Sequence, residues 1–356
     1  MYYKLIALVI AVAILVVLVC GCVAEEPVHT QPTESSSTQL SEPVPTQPPE
    51  LVTVYCLTQL VVQTGDEENQ VTDTFTYDTN GNLLTHSEMD GQSDPRMVRT
   101  YTYDEQNRIL TESWFQNALK REETYSYDSD GKLIRQESWL GGKMLKHSIY
   151  SYNAVGQILS ELVDYVSEES EDILTTYEYD GRGNLISKLS YYNDSLKTVF
   201  SYAYDANGNM VTELYVANGT VQRARAFSYD EKGYLIREEV YASAIYRPLQ
   251  SLPVLVLTYT YDEQGNLLQE QSCCLENGEE TVTTTKWTYD DRGNMLSETA
   301  GSIVTQWTYD EWGNILSYRY YSLGELKYEI LYSYVAFQVT PAHAEKIRLQ
   351  QADYTI

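Results

Sequence analysis

Along most of this 356-residue chain, apolar and polar positions alternate with the two-residue period of a β-strand. No stretch between Leu51 and Val335 carries the 3.6-residue period of a long amphipathic helix. One ten-residue pattern recurs through the alternation: aromatic, any residue, Tyr, Asp, any two residues, Gly, Asn, and two apolar residues. Its clearest copy runs Tyr259-Thr-Tyr261-Asp262-Glu-Gln-Gly265-Asn266-Leu267-Leu268. The aspartate falls at Asp78, Asp104, Asp128, Asp180, Asp205, Asp230, Asp262, Asp290 and Asp310, and Asn153 takes its place in the fourth of ten copies. Successive copies lie 20 to 32 residues apart. A further step of 25 residues from Asp310 lands on Val335, just after Tyr332-Ser-Tyr334, as in a decayed terminal copy.

Each part of the pattern has a local cause. Two aromatics at i and i+2 point to one face of a strand, and aromatic residues suit a pleated, half-buried surface. Asp followed three residues later by Gly fits a type I turn, with Asp at its first position and Gly at its fourth. Gly81, Gly131, Gly183, Gly208, Gly233, Gly265, Gly293 and Gly313 occupy that fourth position. There a positive φ forms the bulge that closes a short hairpin. The aspartate can accept hydrogen bonds from N–H groups of its own turn, and the apolar pair restarts a strand. Between copies the chain reverses again, at Gly141-Gly142, Asn218-Gly219, Asn277-Gly278 and Leu323-Gly324. Each copy is therefore a two-strand unit.

These units predict an all-β chain: a long antiparallel meander of about twenty strands, from ten to eleven hairpin units, coiled into a spiral or curved sheet. Residues 1–22 read as an export signal, 23–50 as a linker, 51–340 as the sheet domain and 341–356 as a C-terminal capping segment. Leu51-Val-Thr-Val-Tyr-Cys-Leu is expected to pair with the first repeat strand and cap one end of the sheet. Thr340-Pro341 reads as a helix start, and a short helix there would cover the last sheet edge.

Composition adds little to the fold but narrows the partners. The chain has 33 Tyr against 5 Phe and 5 Trp. Columns of Tyr are expected to pack the sheet, leaving Tyr191, Tyr192, Tyr320 and Tyr321 outside the motif as candidate contact surface. A net charge of −27 argues against nucleic acid, which requires a basic stripe. It also argues against adhesion to anionic headgroups. Residues 23–50, rich in Pro, Ser, Thr, Gln and Glu, cannot bury enough surface to fold. The seventh interval carries Arg247-Pro-Leu-Gln-Ser-Leu-Pro253, read as a protruding loop.

The N-terminus carries chemistry of its own. Leu5 to Val19 is an unbroken apolar run after Lys4, and it ends in Val19-Cys20-Gly21-Cys22. This ending resembles a bacterial lipobox, which implies cleavage before Cys22 and acylation of Cys22. An uncleaved anchor is the alternative, since Leu5 to Ala24 is just long enough to span a bilayer. Both readings put the remainder outside the cytoplasm, tied to a membrane.

Catalytic signatures do not emerge. Besides the anchor the chain keeps Cys56, Cys273 and Cys274, an odd number that excludes a full disulfide framework and suits small buried or half-buried thiols. His29, His86, His147 and His343 show no metal-ligand spacing, and there is no nucleophile elbow, phosphate loop or dinucleotide fingerprint. Turns such as Asp205-Ala-Asn207-Gly208-Asn209 resemble oxygen-rich calcium loops but lack the bidentate Glu, and the turn needs no metal. No cofactor or metal is expected.

Ten Tyr-Asp copies over about residues 70–340 resemble the YD repeats of the Rhs family, which also occur in teneurins. That resemblance implies a spiralling β-sheet, often closed into a hollow shell. In Rhs toxins the shell encloses a toxic C-terminal domain freed by self-cleavage, and other members bind surface glycans. Here only 21 residues follow Val335, and no Asp-Pro-x-Gly core motif is present. Ten repeats look too few to close. The expected function is a membrane-anchored, non-catalytic binding or scaffold module that contacts envelope polysaccharide or a surface protein. The alternatives are a wall hydrolase using paired carboxylates, a structural spacer, or an accessory of a separate Rhs toxin.

Overall fold

The structure, a computed structural model, describes residues 51–64, 70–89, 95–116, 118–167, 169–242, 252–276 and 279–351. Cys22, the linker, the Asn277-Gly278 turn and residues 247–251 of the proline loop lie outside the described residues. Among the described residues twenty-two strands run from β1 (Val52–Gln63) to β22 (Glu325–Val339), and a helix, α1 (Pro341–Gln351), follows. Each strand pairs antiparallel with the next along the chain. The meander then closes, because β22 pairs with β1 from Val52↔Val339 to Gln63↔Glu329. At about 4.8 Å per strand the perimeter is on the order of 100 Å.

Ten repeats are therefore enough for a closed ring, and the decayed eleventh copy shows why. Val335 stands where the motif aspartate would be. Its side chain offers no acceptor to a turn and favours a strand, so β22 runs straight on to Val339. The outgoing strand of this last unit comes from the other end of the chain. Leu57 of β1 supplies the carbonyl that the first apolar residue of a motif supplies elsewhere, accepting from Tyr77 Oη at 2.5 Å. Two half-units, one from each terminus, complete the ring.

This corrects one expectation. The segment from Leu51 pairs with the first repeat strand as expected, but it is also the closing strand, hydrogen-bonded on both sides over residues 59–62, and not the cap of an open end. Past the ring, β1 and β22 continue as a two-stranded ribbon. The C-terminal helix forms, with Thr340 O and Oγ1 accepting from His343 N at 3.0 and 3.4 Å, and it covers this ribbon: Ala344 and Ile347 pack on Val54, Cys56 and Val339, and Gln351 Oε1 accepts from Leu57 N on the free edge of β1.

The two faces of the sheet differ in the way the alternation predicts. In β4 (Met97–Tyr103), Tyr101 is buried, Thr102 exposed and Tyr103 half-buried. The aromatic face is the shielded one throughout. On the other face short hydroxyl side chains meet across strands, as in Thr102–Thr111 at 2.7 Å and Thr308–Ser317 at 2.8 Å. The apolar pair of each motif is divided by a bulge. Tyr77 pairs with Leu83 and Thr76 with Thr85, which leaves Leu84 unpaired. Leu83 is 2% exposed and Leu84 37%. The second reversals behave as Asn-Gly chemistry requires: Gly141, Gly142, Asn218, Gly219, Leu323 and Gly324 all have positive φ.

Candidate functional site

All described motif turns lie on one rim of the ring, and each is built the same way. In the turn at Asp205, Asp205 N donates to Asn209 O and Gly208 N to Asp205 O. Oδ1 of Asp205 accepts from Asn207 N and Asn209 N at 2.9 and 2.8 Å, and Oδ2 from Asn209 Nδ2 at 3.0 Å. The motif Asn is thus explained: its side chain holds the second carboxylate oxygen. The same set recurs at Asp180, Asp290 and Asp310. Asp78, Asp104, Asp128, Asp230 and Asp262 also accept from the backbone N–H four residues on. Hydrogen bonds from the turn hold the Asp180, Asp205, Asp262 and Asp290 carboxyls below the usual carboxylate range, led by those of the motif Asn. These oxygens are directed at protein donors, as a structural turn requires, and among the described residues no group of three or more His, Cys, Asp or Glu is placed to hold a metal.

Gly81, Gly131, Gly183, Gly208, Gly233, Gly265, Gly293 and Gly313 all take positive φ, between +81° and +93°. A second cause appears at Gly265, where a Cβ would run into the Tyr234 ring of the preceding turn. In the second copy Asn107 stands in the glycine's place at φ +57°. Asparagine tolerates this region, and its Oδ1 accepts from Asn82 Nδ2 at 2.8 Å. The sequence reading passed over Asn107; its place three residues after Asp104 was the available signal.

Between hairpins the strands splay at this rim. Ladder pairing of β3 (Leu83–Glu88) with β4 stops at Thr85↔Thr100. Asn82 O is already used by Asp78 N, so the next carbonyl, of Leu83, turns toward β4 with no ladder partner. Tyr103 Oη donates to it at 2.8 Å. The second motif tyrosine does this in all ten copies: Tyr77, Tyr103, Tyr127, Tyr152, Tyr179, Tyr204, Tyr229, Tyr261, Tyr289 and Tyr309, at 2.5–2.9 Å. Burial, followed by the aspartate of the preceding turn, raises the hydroxyl pKa of Tyr152, Tyr204, Tyr289 and Tyr309. Tyr334 is raised by burial, then by Tyr332 and Asp310.

Eight residues beyond each motif aspartate, on the shielded face, a side chain lies opposite the first motif aromatic. Six of these are carboxylates: Glu112, Glu161, Glu213, Glu238, Glu270 and Glu298. Arg99 Nη1 holds Glu112 at 2.8 Å and Arg225 Nη2 holds Glu238 at 2.7 Å. Burial and then Glu238 and Glu270 push Tyr259 up to about 12. Glu112 and Glu123 face each other across their ladder, but Ser138 Oγ and Gln136 Nε2 occupy Glu123. Each carboxylate of that pair is held by its own donors.

A cleft of about 470 Å³ lies at the rim where α1 crosses the first three turns. Asn82, Asn107, Arg108, Tyr103, Tyr127, Ile109, His343, Lys346 and Ile347 line it, with Gly131. His343 Nε2 lies 3.0 Å from Asn80 O, and Gln351 Oε1 accepts from Leu57 N at 2.9 Å, so polar contacts hold the helix at both ends. Beneath it Cys56 is fully buried, and burial pushes its thiol up to about 11. Cys273 and Cys274 are free and half-buried. Tyr191, Tyr192, Tyr320 and Tyr321 are half-buried too, and not the exposed contact surface expected of them. Tyr320 stacks on Tyr328 with centroids 5.2 Å apart. Among the described residues no helix is long and apolar enough to cross a membrane.

A repeated Tyr-Asp hairpin closed into a ring defines a shell protein. Residues 53–249, just over half of the 356, match the Teneurin YD-shell family, and the chain belongs to that family. No curated protein matches it. Among solved structures it is similar to the TcdB2-TccC3 crystal structure at 15% identity and TM-score 0.35, covering 76% of this chain and 19% of that one. It is also similar to a porin-like protein from Bacteroides uniformis at 13% identity and TM-score 0.30, covering 67% and 96% of the two chains. A porin-like protein from Bacteroides vulgatus gives 14% identity and TM-score 0.23, covering 78% and 98%.

Proposed function

We propose that this YD shell is an extracytoplasmic binding and scaffold module, tied to a bacterial membrane through Cys22, that contacts envelope polysaccharide or a surface protein without catalysis. The observation that carries the reading is the closed ring itself. Its repeated polar groups are consumed in holding it together, with turn carboxylates on N–H groups and tyrosine hydroxyls on carbonyls, while the cleft under α1 keeps donors unused. Such a body supports contact better than chemistry. The lipobox-like Val19-Cys20-Gly21-Cys22 supplies the tether, and the acidic surface keeps the domain soluble and clear of anionic headgroups. Cosedimentation of the protein with insoluble envelope polysaccharide and peptidoglycan tests the reading, with supernatants assayed for released sugars. Saturable binding without release supports it. Release of sugars would replace it with the hydrolase, and absence of binding to every fraction would remove the glycan partner. Metabolic labelling with a palmitate analogue, lost in Cys22→Ser, tests the anchor.

A further inference from the structure

We infer that the shielded face around Trp287 binds an organic cation, an alkylguanidinium or alkylammonium ion, between Glu270 and Glu298. The inference comes from setting copies of the repeat against one another, and it stands apart from the polysaccharide reading. In the seventh copy Arg225, five residues before the motif aspartate, sits between two carboxylates. Glu213 is directly opposite it on one neighbouring strand, 3.8 Å from Nη1. Glu238 is on the other neighbouring strand, opposite the first motif aromatic Phe227 and 2.7 Å from Nη2. The guanidinium lies over the Phe227 ring at 5.0 Å. In the second copy Arg99 likewise stands five residues before the aspartate, holds Glu112 at 2.8 Å and lies over the Trp114 ring at 4.8 Å.

The ninth copy keeps every part of the seventh except the arginine. Thr285 stands five residues before Asp290. Glu270 is directly opposite Thr285, as Glu213 is opposite Arg225. Glu298 is opposite Trp287, as Glu238 is opposite Phe227. Among the described residues no Lys, Arg or His forms an ion pair with Glu270 or Glu298. Lys286, next along the strand from Thr285, is exposed on the opposite face, paired with Gln269 and Thr299. Thr305, 9% exposed and directly opposite Glu298, keeps a buried Oγ1 without a partner among the described residues. Thr285, Trp287 and both glutamates are half-buried, so solvent reaches the place that a guanidinium fills in the seventh copy. Two carboxylates beside an aromatic ring, with a spare hydroxyl and no cation of their own, select a ligand with charged N–H donors and an apolar stem. The net charge of −27 raises the local concentration of such cations.

The full-length protein in detergent is titrated with propylguanidinium, butylammonium, the neutral isostere propylurea and an arginine-containing tripeptide amide, by ligand-observed NMR at two salt concentrations. The same titrations are run on Glu270→Gln, Glu298→Gln, Thr285→Arg and, as a control for general attraction, Glu311→Gln on an exposed turn. Urea midpoints show that each variant folds. The expected result is saturable, salt-sensitive binding of one or both alkyl cations and none of propylurea. Either glutamine change weakens it about tenfold or more, and Glu311→Gln leaves it unchanged. Thr285→Arg abolishes it, because the new guanidinium takes the ligand's place as Arg225 does in the seventh copy. Entry of the tripeptide would assign the cation to the arginine of a polypeptide, and its exclusion to a small molecule. Cation binding that survives Thr285→Arg would overturn the site, as would equal binding of propylurea or no binding by the folded parent. None of these outcomes bears on envelope cosedimentation, which tests the polysaccharide reading separately.

Discussion

The motif tyrosines supply a paired test of what holds the ring together. Tyr202 and Tyr204 are the first and second aromatics of one copy, two residues apart on one face, and both are half-buried. Tyr204 Oη donates to Leu185 O at 2.9 Å, across a gap where the ladder between Leu185–Tyr192 and Ser195–Tyr204 has stopped at Ser187↔Ser201. Tyr202 Oη has no such partner among the described residues. Changing either to Phe removes one oxygen and leaves the ring packing in place. At Tyr202 the loss is close to zero, because no protein hydrogen bond breaks. At Tyr204 the Leu185 carbonyl is left without its donor, which costs about 1 kcal/mol, and up to about 1.5 if water does not reach the gap. Equilibrium urea unfolding followed by far-UV circular dichroism resolves that difference when both variants are run beside the parent. Equal midpoints for Tyr202→Phe and Tyr204→Phe would refute the argument that the hydroxyl bridges the splayed strands.

Further outcomes follow from the same geometry. Gly265→Ala forces a Cβ onto a backbone at φ +93° and against the Tyr234 ring; a loss of about 1–3 kcal/mol is expected in the same assay, and no change would show that the turn relaxes freely. The folded tyrosine pKa values lie above the unfolded value of about 10, so the native state holds protons that the unfolded chain releases. Stability from these groups is complete below about pH 10 and falls as pH rises further. The turn aspartates are lowered, so their contribution is present above about pH 4 and is lost as pH falls. Melting temperature against pH should therefore show a plateau with a fall at each end, and a peak near neutrality with no plateau would count against it. Ile347→Asp puts a carboxyl at a site 3% exposed and should undock α1, so that Cys56 labels as fast as Cys273 by mass spectrometry. If Cys56 stays protected, the ribbon and not the helix shields it.

The sequence exposed the hairpin unit because Tyr, Asp, Gly and Asn act within ten residues of one another, where spacing can be read directly. Ring closure was hidden because it joins Val52 to Val339, and no local period reports a pairing that distant. Even so, the sequence carries two signals of it. Val335 replaces the turn aspartate, and an orphan strand precedes the first repeat. The tyrosine bridges had a signal of their own: the first aromatic is Phe or Trp in Phe75, Phe227, Trp287 and Trp307, while the second is Tyr in every copy. A position that merely packs tolerates Phe, whereas one that must donate does not. The cleft was not legible at all, because it forms where α1 lies across turns more than 200 residues earlier in the chain.

Closing the ring with half a unit from each terminus also sets how copies of this chain can go wrong together. Every other pairing joins sequence neighbours and forms locally, but the β1–β22 seam must bring chain ends together across nearly the whole domain. Until it does, both half-units present unpaired edges of identical design in every molecule. The β22 of one chain fits the β1 of a second as well as its own. At high concentration the competing product is therefore a domain-swapped assembly with every native hydrogen bond intact, distinguished only by which chain each half-unit came from.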